Sequence, residues 1–127
     1  MKATKALIID DTATKRVAIK RALEFCGISD ILLAKNLEMG FELIYENERQ
    51  GMPINLVVTD MQYPLEKGTD IDPEAGFKCI GRLKEENKNI PVIICSSINY
   101  QDLEILGNVW YQEGRDINTE FKRILGK

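Results

Sequence analysis

Short apolar runs alternate with longer amphipathic stretches along this chain. Ala6-Leu7-Ile8-Ile9 and Leu56-Val57-Val58-Thr59 are brief, rich in branched side chains and flanked by polar segments, the pattern of strands buried on both faces of a parallel sheet. Residues 31–34, 92–95 and 109–111 predict three more strands. Over residues 12–25 the spacing predicts a helix with Ala13, Val17, Ala18, Ala22, Leu23 and Phe25 as its apolar positions. Its basic residues Lys15, Arg16, Lys20 and Arg21 are expected on a solvated face, with Asp11 or Thr12 as N-cap and Gly27 just past the end. Asn36 is the expected cap of a second helix carrying Leu37, Met39, Phe41, Leu43 and Ile44, which Gly51 and Pro53 terminate. After the polar stretch 60–72, further helices are expected over residues 73–86, with Pro73 in the first turn, at about 100–106, and from Asn118 through Leu125.

Strict alternation of this kind is (βα)5: one parallel sheet with helices on both faces. Right-handed crossovers in a doubly wound sheet of five strands favour the order 2-1-3-4-5, which sets strands 1 and 3 side by side. Strand 1 ends in Asp10-Asp11 and strand 3 in Asp60. Ligands of open α/β sheets bind beyond the carboxyl ends of the strands, so three carboxylates are expected to converge where chemistry is usually done. Such a cluster repels itself unless a cation joins it or one member stays protonated.

Composition adds mainly exclusions. The 127 residues fit a single domain, 1–127, and the 44% hydrophobic and 29% charged content is that of an ordinary globular protein. A net charge of −3 argues against direct binding of nucleic acid by bulk charge. No apolar run is long enough for a membrane span, and the run behind Met1-Lys2 is too short for a signal-peptide core, so the expected location is the cytoplasm. Cys26, Cys79 and Cys95 lack metal-ligand spacing and sit in apolar segments, which predicts reduced, buried thiols. The chain has no histidine, which removes the usual general base and the Ser-His and Cys-His nucleophile pairs; an enzyme is not expected. Aspartates in the first turn also disfavour a flavin-phosphate loop.

Leu7-Ile8-Ile9-Asp10-Asp11, Val57-Val58-Thr59-Asp60-Met61-Gln62-Tyr63-Pro64 and Ile93-Ile94-Cys95-Ser96-Ser97 together resemble the response-regulator receiver domain of two-component signalling, of chemotaxis type, over nearly the whole chain. The resemblance implies a flavodoxin-like receiver fold. It implies that Asp60 accepts a phosphoryl group, that Asp10, Asp11, Asp60 and the backbone carbonyl of Gln62 hold Mg²⁺, and that the Ser96 hydroxyl hydrogen-bonds the phosphoryl group. The implied partners are a histidine kinase or phosphotransfer protein upstream and a protein target downstream. With no output domain after Lys127, the signal is expected to pass through the helix 4–strand 5–helix 5 face. Mg²⁺ suits such a site, since it prefers carboxylate, carbonyl and phosphate oxygens.

Two departures from the family pattern stand out. Receivers carry a lysine at the end of strand 5; here the stretch reads Val109-Trp110-Tyr111-Gln112-Glu113-Gly114, and Tyr111 or Gln112 takes that place depending on register. Residues 65–75 also make the turn before the third helix longer than usual. Lys67 in that insertion, or Arg115 after strand 5, is the expected substitute cation. The alternative function is a degenerate receiver, a protein-interaction module that works without phosphorylation.

Overall fold

The apolar runs are too short and too evenly apolar for amphipathic helices, and each becomes a strand. The computed structural model describes residues 3–100 and 104–126. Strands β1 (Lys5–Ile9), β2 (Asp30–Ala34) and β3 (Leu56–Thr59) are followed by a small hairpin, β4 (Tyr63–Pro64) and β5 (Ile71–Asp72), and then by β6 (Val92–Ser96) and β7 (Gly107–Trp110). The main sheet is parallel throughout, in the order β2-β1-β3-β6-β7. With the hairpin set aside, this is the expected 2-1-3-4-5.

Alternation along each strand sorts the core into two layers. Ala6 and Ile8 of β1, Leu56 and Val58 of β3, and Ile93 and Cys95 of β6 face one side. There they pack on Ile19, Ala22 and Leu23 of α1 (Ala13–Phe25) and on Phe121 and Leu125 of α4 (Asn118–Leu125). Leu7, Ile9 and Val57 face the other side, against Leu37, Phe41 and Ile44 of α2 (Leu37–Arg49) and Ala75, Cys79 and Leu83 of α3 (Ala75–Glu85). All three cysteines are buried, as expected, and burial pushes the Cys79 and Cys95 thiols up to about 12. Among the described residues no helix is long and apolar enough to cross a membrane.

The local signals act much as the sequence suggests, with exceptions. The Asn36 side chain caps α2 by accepting from the Met39 N–H at 2.7 Å. Gly27 takes φ +85° just beyond α1, a left-handed turn that glycine adopts without steric cost. Thr12 is the N-cap of α1 but makes no side-chain capping bond; its N–H instead donates to Asp10 Oδ1 at 2.9 Å. Ile117, not Asn118, occupies the cap position of α4, and Asp116 Oδ1 accepts from the Asn118 N–H. Val17 and Phe25, expected to be buried, are about half exposed, and Ile19 takes the core position instead.

One expectation needs correction, and the polar stretch proves to be structured. The helix expected at 100–106 lies partly on residues 101–103, outside the described residues; Tyr100 and residues 104–106 are not helical. The Leu106 N–H already donates to the Val92 carbonyl, so the backbone there is committed to the sheet edge that leads into β7. The polar stretch after Asp60 is not featureless either. Tyr63 is wholly buried, and the β4–β5 pairing of Tyr63 with Asp72 and Pro64 with Ile71 ties the insertion into a hairpin. Asp72 then accepts from the Glu74 N–H and pairs with Lys78, joining the hairpin to the start of α3.

Phe121 and Phe25 test this layering. Phe121→Ala should cost about 3–5 kcal/mol in urea unfolding, the range for emptying a buried aromatic site. Phe25→Ala, on the exposed flank of α1, should stay within about 0.5 kcal/mol of the parent. Equal losses at the two positions would contradict the layer assignment.

Candidate functional site

The sheet ladder runs one residue beyond β1 and β3 and thereby fixes two aspartates. The Asp10 N–H donates to the Ala34 carbonyl and the Asp60 N–H to the Ile9 carbonyl, each at 3.0 Å. Since Ile9 is paired with Thr59, Asp10 and Asp60 leave neighbouring strand ends together. Asp11 follows at the entry to α1, and one carboxylate oxygen from each of Asp10, Asp11 and Asp60 lies within 4.8 Å of the others.

Asp10 is fully buried. Its Oδ2 makes no well-formed hydrogen bond and is met by the ammonium of Lys15 at 3.0 Å. The same ammonium lies 3.1 Å from Asp60 Oδ1, which also accepts from the Met61 N–H at 2.7 Å. Burial pushes the Asp10 carboxyl above its usual range; Lys15 and the Thr12 N–H pull it back, and Asp60 adds to the rise. Burial alone would lower the Lys15 ammonium, but Asp10 and Asp60 more than reverse that and hold it charged. One ammonium among three carboxylates leaves the site with excess negative charge. Asp11 makes no ion pair among the described residues. Hard oxygen donors, a buried carboxylate oxygen without a well-formed hydrogen bond and uncompensated charge fit a divalent cation such as Mg²⁺.

Beside the aspartates lies a cleft of about 240 Å³ lined by Thr12, Lys15, Asp60, Gln62, Ser96, Ser97, Ile98 and Tyr111. Ser96, at the end of β6, is buried, and its Oγ accepts from the Ile98 N–H at 3.3 Å. Gln62 is exposed at the cleft wall. Asp10, Asp11, Asp60, Gln62 and Ser96 all lie in or beside this cleft.

The cation is a different matter. Neither expected substitute surrounds Asp60. Lys67 lines a separate recess with Asn36, Glu38, Met39, Glu42 and Glu66. Arg115 forms a two-pronged pair with Glu120 and also donates to the Trp110 carbonyl. The positive charge comes from Lys15, which is buried and not on the solvated face expected for it. A signal for this was present: Lys15, Ile19, Ala22, Leu23 and Cys26 fall at helical spacing on one face, and all are buried. Register is settled as well. Tyr111 lines the cleft with its ring centroid 5.4 Å from the Lys15 ammonium, whereas Gln112 is exposed. Trp110 is partly exposed and donates from Nε1 to the Ser97 carbonyl.

The backbone of Asp60 is braced from α3. A Cβ on Gly76 would come within 2.7 Å of the Asp60 carbonyl and 3.0 Å of Met61 Cα, and the Gly76 N–H donates to the Met61 carbonyl at 2.9 Å. From below, the Tyr63 hydroxyl donates to Thr59 Oγ1, which donates to the Asp60 carbonyl.

The fold has known counterparts. A response-regulator receiver domain protein from Clostridium thermocellum superposes with a TM-score of 0.66 at 22% identity, over 97% of this chain and 94% of that one. CheY from Borrelia burgdorferi, solved in complex with CheX, BeF3⁻ and Mg²⁺, gives a TM-score of 0.70 at 17% identity over 96% and 86% of the two chains. RcsB from Salmonella enterica, bound to a promoter in the presence of BeF3⁻, gives 0.68 at 18% identity; 97% of this chain spans 60% of that one. This chain has the receiver fold. No protein-family model matches its sequence, and no curated protein matches it in a sequence search. Within the receiver fold, the acidic cluster sits at the carboxyl edge of the sheet, and Tyr111 directly follows the last sheet strand.

Gly76→Ala tests the brace. The added methyl meets the Asp60 and Met61 backbone before it meets the Met61 sulfur, so unfolding free energy should fall by about 1–3 kcal/mol. Chemical shifts of Asp60 and Met61 should move in the folded variant. An unperturbed Asp60 and unchanged stability would show that α3 does not position it.

Proposed function

We propose that this chain is a phosphoacceptor receiver, with Asp60 taking a phosphoryl group, in a Mg²⁺-dependent reaction, from a histidine kinase or phosphotransfer protein. The observation that supports this best is the convergence of Asp10, Asp11 and Asp60 at a strand-end cleft that also holds Ser96. In this role the chain is a substrate and signal carrier, not an enzyme.

Asp10, Asp11, Asp60 and the backbone carbonyl of Gln62 would hold the metal. A bound Mg²⁺ would neutralise the negative charge that accumulates on the phosphoryl oxygens during transfer. The chain's own residues do the rest. The Met61 N–H and Lys15 hold Asp60 Oδ1 and orient the carboxylate. Asp60 Oδ2, with no donor on it among the described residues, forms the bond to phosphorus as the bond to the donor breaks, leaving an acyl phosphate. The Ser96 hydroxyl accepts from Ile98 and keeps its proton to donate to a phosphoryl oxygen.

Partners of the similar structures vary: the Borrelia CheY was solved with the protein CheX, and the Salmonella RcsB with DNA. The net charge of −3 favours a protein target here. We place its docking face on the described residues just after β6, on β7 and on α4, where Ile98 and Trp110 are exposed. A second reading, a module that works without phosphorylation, is favoured by Tyr111 at the end of the last strand and by the ammonium already bridging Asp10 and Asp60.

Incubation with Mg²⁺ and acetyl phosphate decides between them. The phosphoacceptor reading expects a base-labile gain of one phosphoryl group, reduced about a hundredfold or more in Asp60→Asn and abolished by chelation. Absence of labelling with acetyl phosphate and with a phosphorylated phosphotransfer protein would leave the interaction module as the function.

A further inference from the structure

Lys15 breaks three local preferences at once. It lies in the first turn of α1, where the helix dipole favours anions. That turn holds no acidic side chain to compensate it. It is also buried, which lysine avoids unless paired. Nothing in the stability of α1 requires this, whereas the geometry at its far end is specific: 3.0 Å to Asp10 Oδ2, 3.1 Å to Asp60 Oδ1 and the Tyr111 ring alongside. Violations of local rules of this sort concentrate at functional sites.

We propose that Lys15, delivered from the first turn of α1, is the cation that pairs with the phosphoryl group on Asp60 and takes over the charge that the end of the last sheet strand lacks. This rests on the phosphoacceptor reading and deepens it. An acyl phosphate at Asp60 brings new negative charge to a site already carrying Asp10 and Asp11. Among the described residues, Lys15 is the one cationic side chain in ion-pair contact with Asp10 or Asp60. Its ammonium is a point charge with three donors on a flexible stem, able to keep Asp10 while reaching a phosphoryl oxygen on Asp60. Tyr111 holds a position on the cleft wall from which a longer, charged side chain would reach the same space.

Because the ammonium and a divalent cation share Asp10 and Asp60, removing Lys15 has opposite effects on two measurements. Lys15→Met should bind Mg²⁺ about tenfold more tightly by calorimetry, since a like charge beside the ion is gone. The same variant should lose about a hundredfold in acetyl phosphate labelling and in BeF3⁻ binding followed by ¹⁹F NMR. Lys15→Met/Tyr111→Lys, which returns a lysine from β7, should recover at least about tenfold of the lost labelling. A purely structural lysine would not be rescued from another element. The proposal is overturned if Lys15→Met labels like the parent, whatever its metal affinity, or if the double variant folds without any recovery. Circular dichroism melts check folding, with Lys15→Gln as the second uncharged variant; if neither uncharged variant folds, the lysine is structural and the proposal fails. Loss of labelling in Asp60→Asn with full labelling in Lys15→Met would sink this inference alone. No labelling of the parent would remove it together with the phosphoacceptor reading.

Discussion

Like charges within 4.8 Å repel by roughly 3 kcal/mol per pair at an effective dielectric constant of 20, and one member of this cluster, Asp10, is cut off from water altogether. The ammonium of Lys15 between Asp10 and Asp60 is the interaction that makes the edge of the sheet tolerable in the folded state. The rest of the architecture serves that contact. The β1–β3 register brings the two carboxylates to neighbouring strand ends, and α1 leaves at once from Asp11 and Thr12, carrying the lysine back over them. Gly76 and the Tyr63–Thr59 hydroxyl pair hold the Asp60 backbone from two sides.

What charge chemistry constrains at such a site is where the positive charge sits, not which segment of chain brings it. A lysine stem spans enough distance to reach one point from either of two neighbouring elements. In this molecule β7 is followed by Tyr111, half-buried beside the ammonium, and Gln112 turns out to solvent. The aromatic face and the buried stem fill the cleft wall between the first helix and the last strand.

The insertion after Asp60 has a mechanical explanation. Buried Tyr63, the short β4–β5 pairing and the Asp72–Lys78 ion pair fold it down against α3, and the Leu65 carbonyl accepts from the Glu38 N–H at the start of α2. Its cationic residue, Lys67, faces the α2 side and leaves Asp60 to Lys15. Long loops beside a site invite a functional reading, but a loop with its own buried anchor is bracing the site's backbone.

Strand order, two-sided burial and the meeting of Asp10, Asp11 and Asp60 were legible in the sequence because they depend on signals that survive any context. These are runs apolar on both faces, strict alternation of element types, and the handedness of crossovers. The hairpin and the non-helical course of residues 104–106 were not legible. Both depend on which backbone groups find partners far along the chain, Tyr63 with Asp72 and Leu106 with Val92. The source of the cation falls between. The 15-19-22-23-26 stripe was written in the sequence, but a lysine at the head of an apolar stripe reads as solvated until carboxylates are known to lie opposite it. By itself the sequence determined the sheet and the aspartates at its edge. Only the tertiary structure decided which charge answers them, because an ion pair is set by distances across strands and helices that no local pattern encodes.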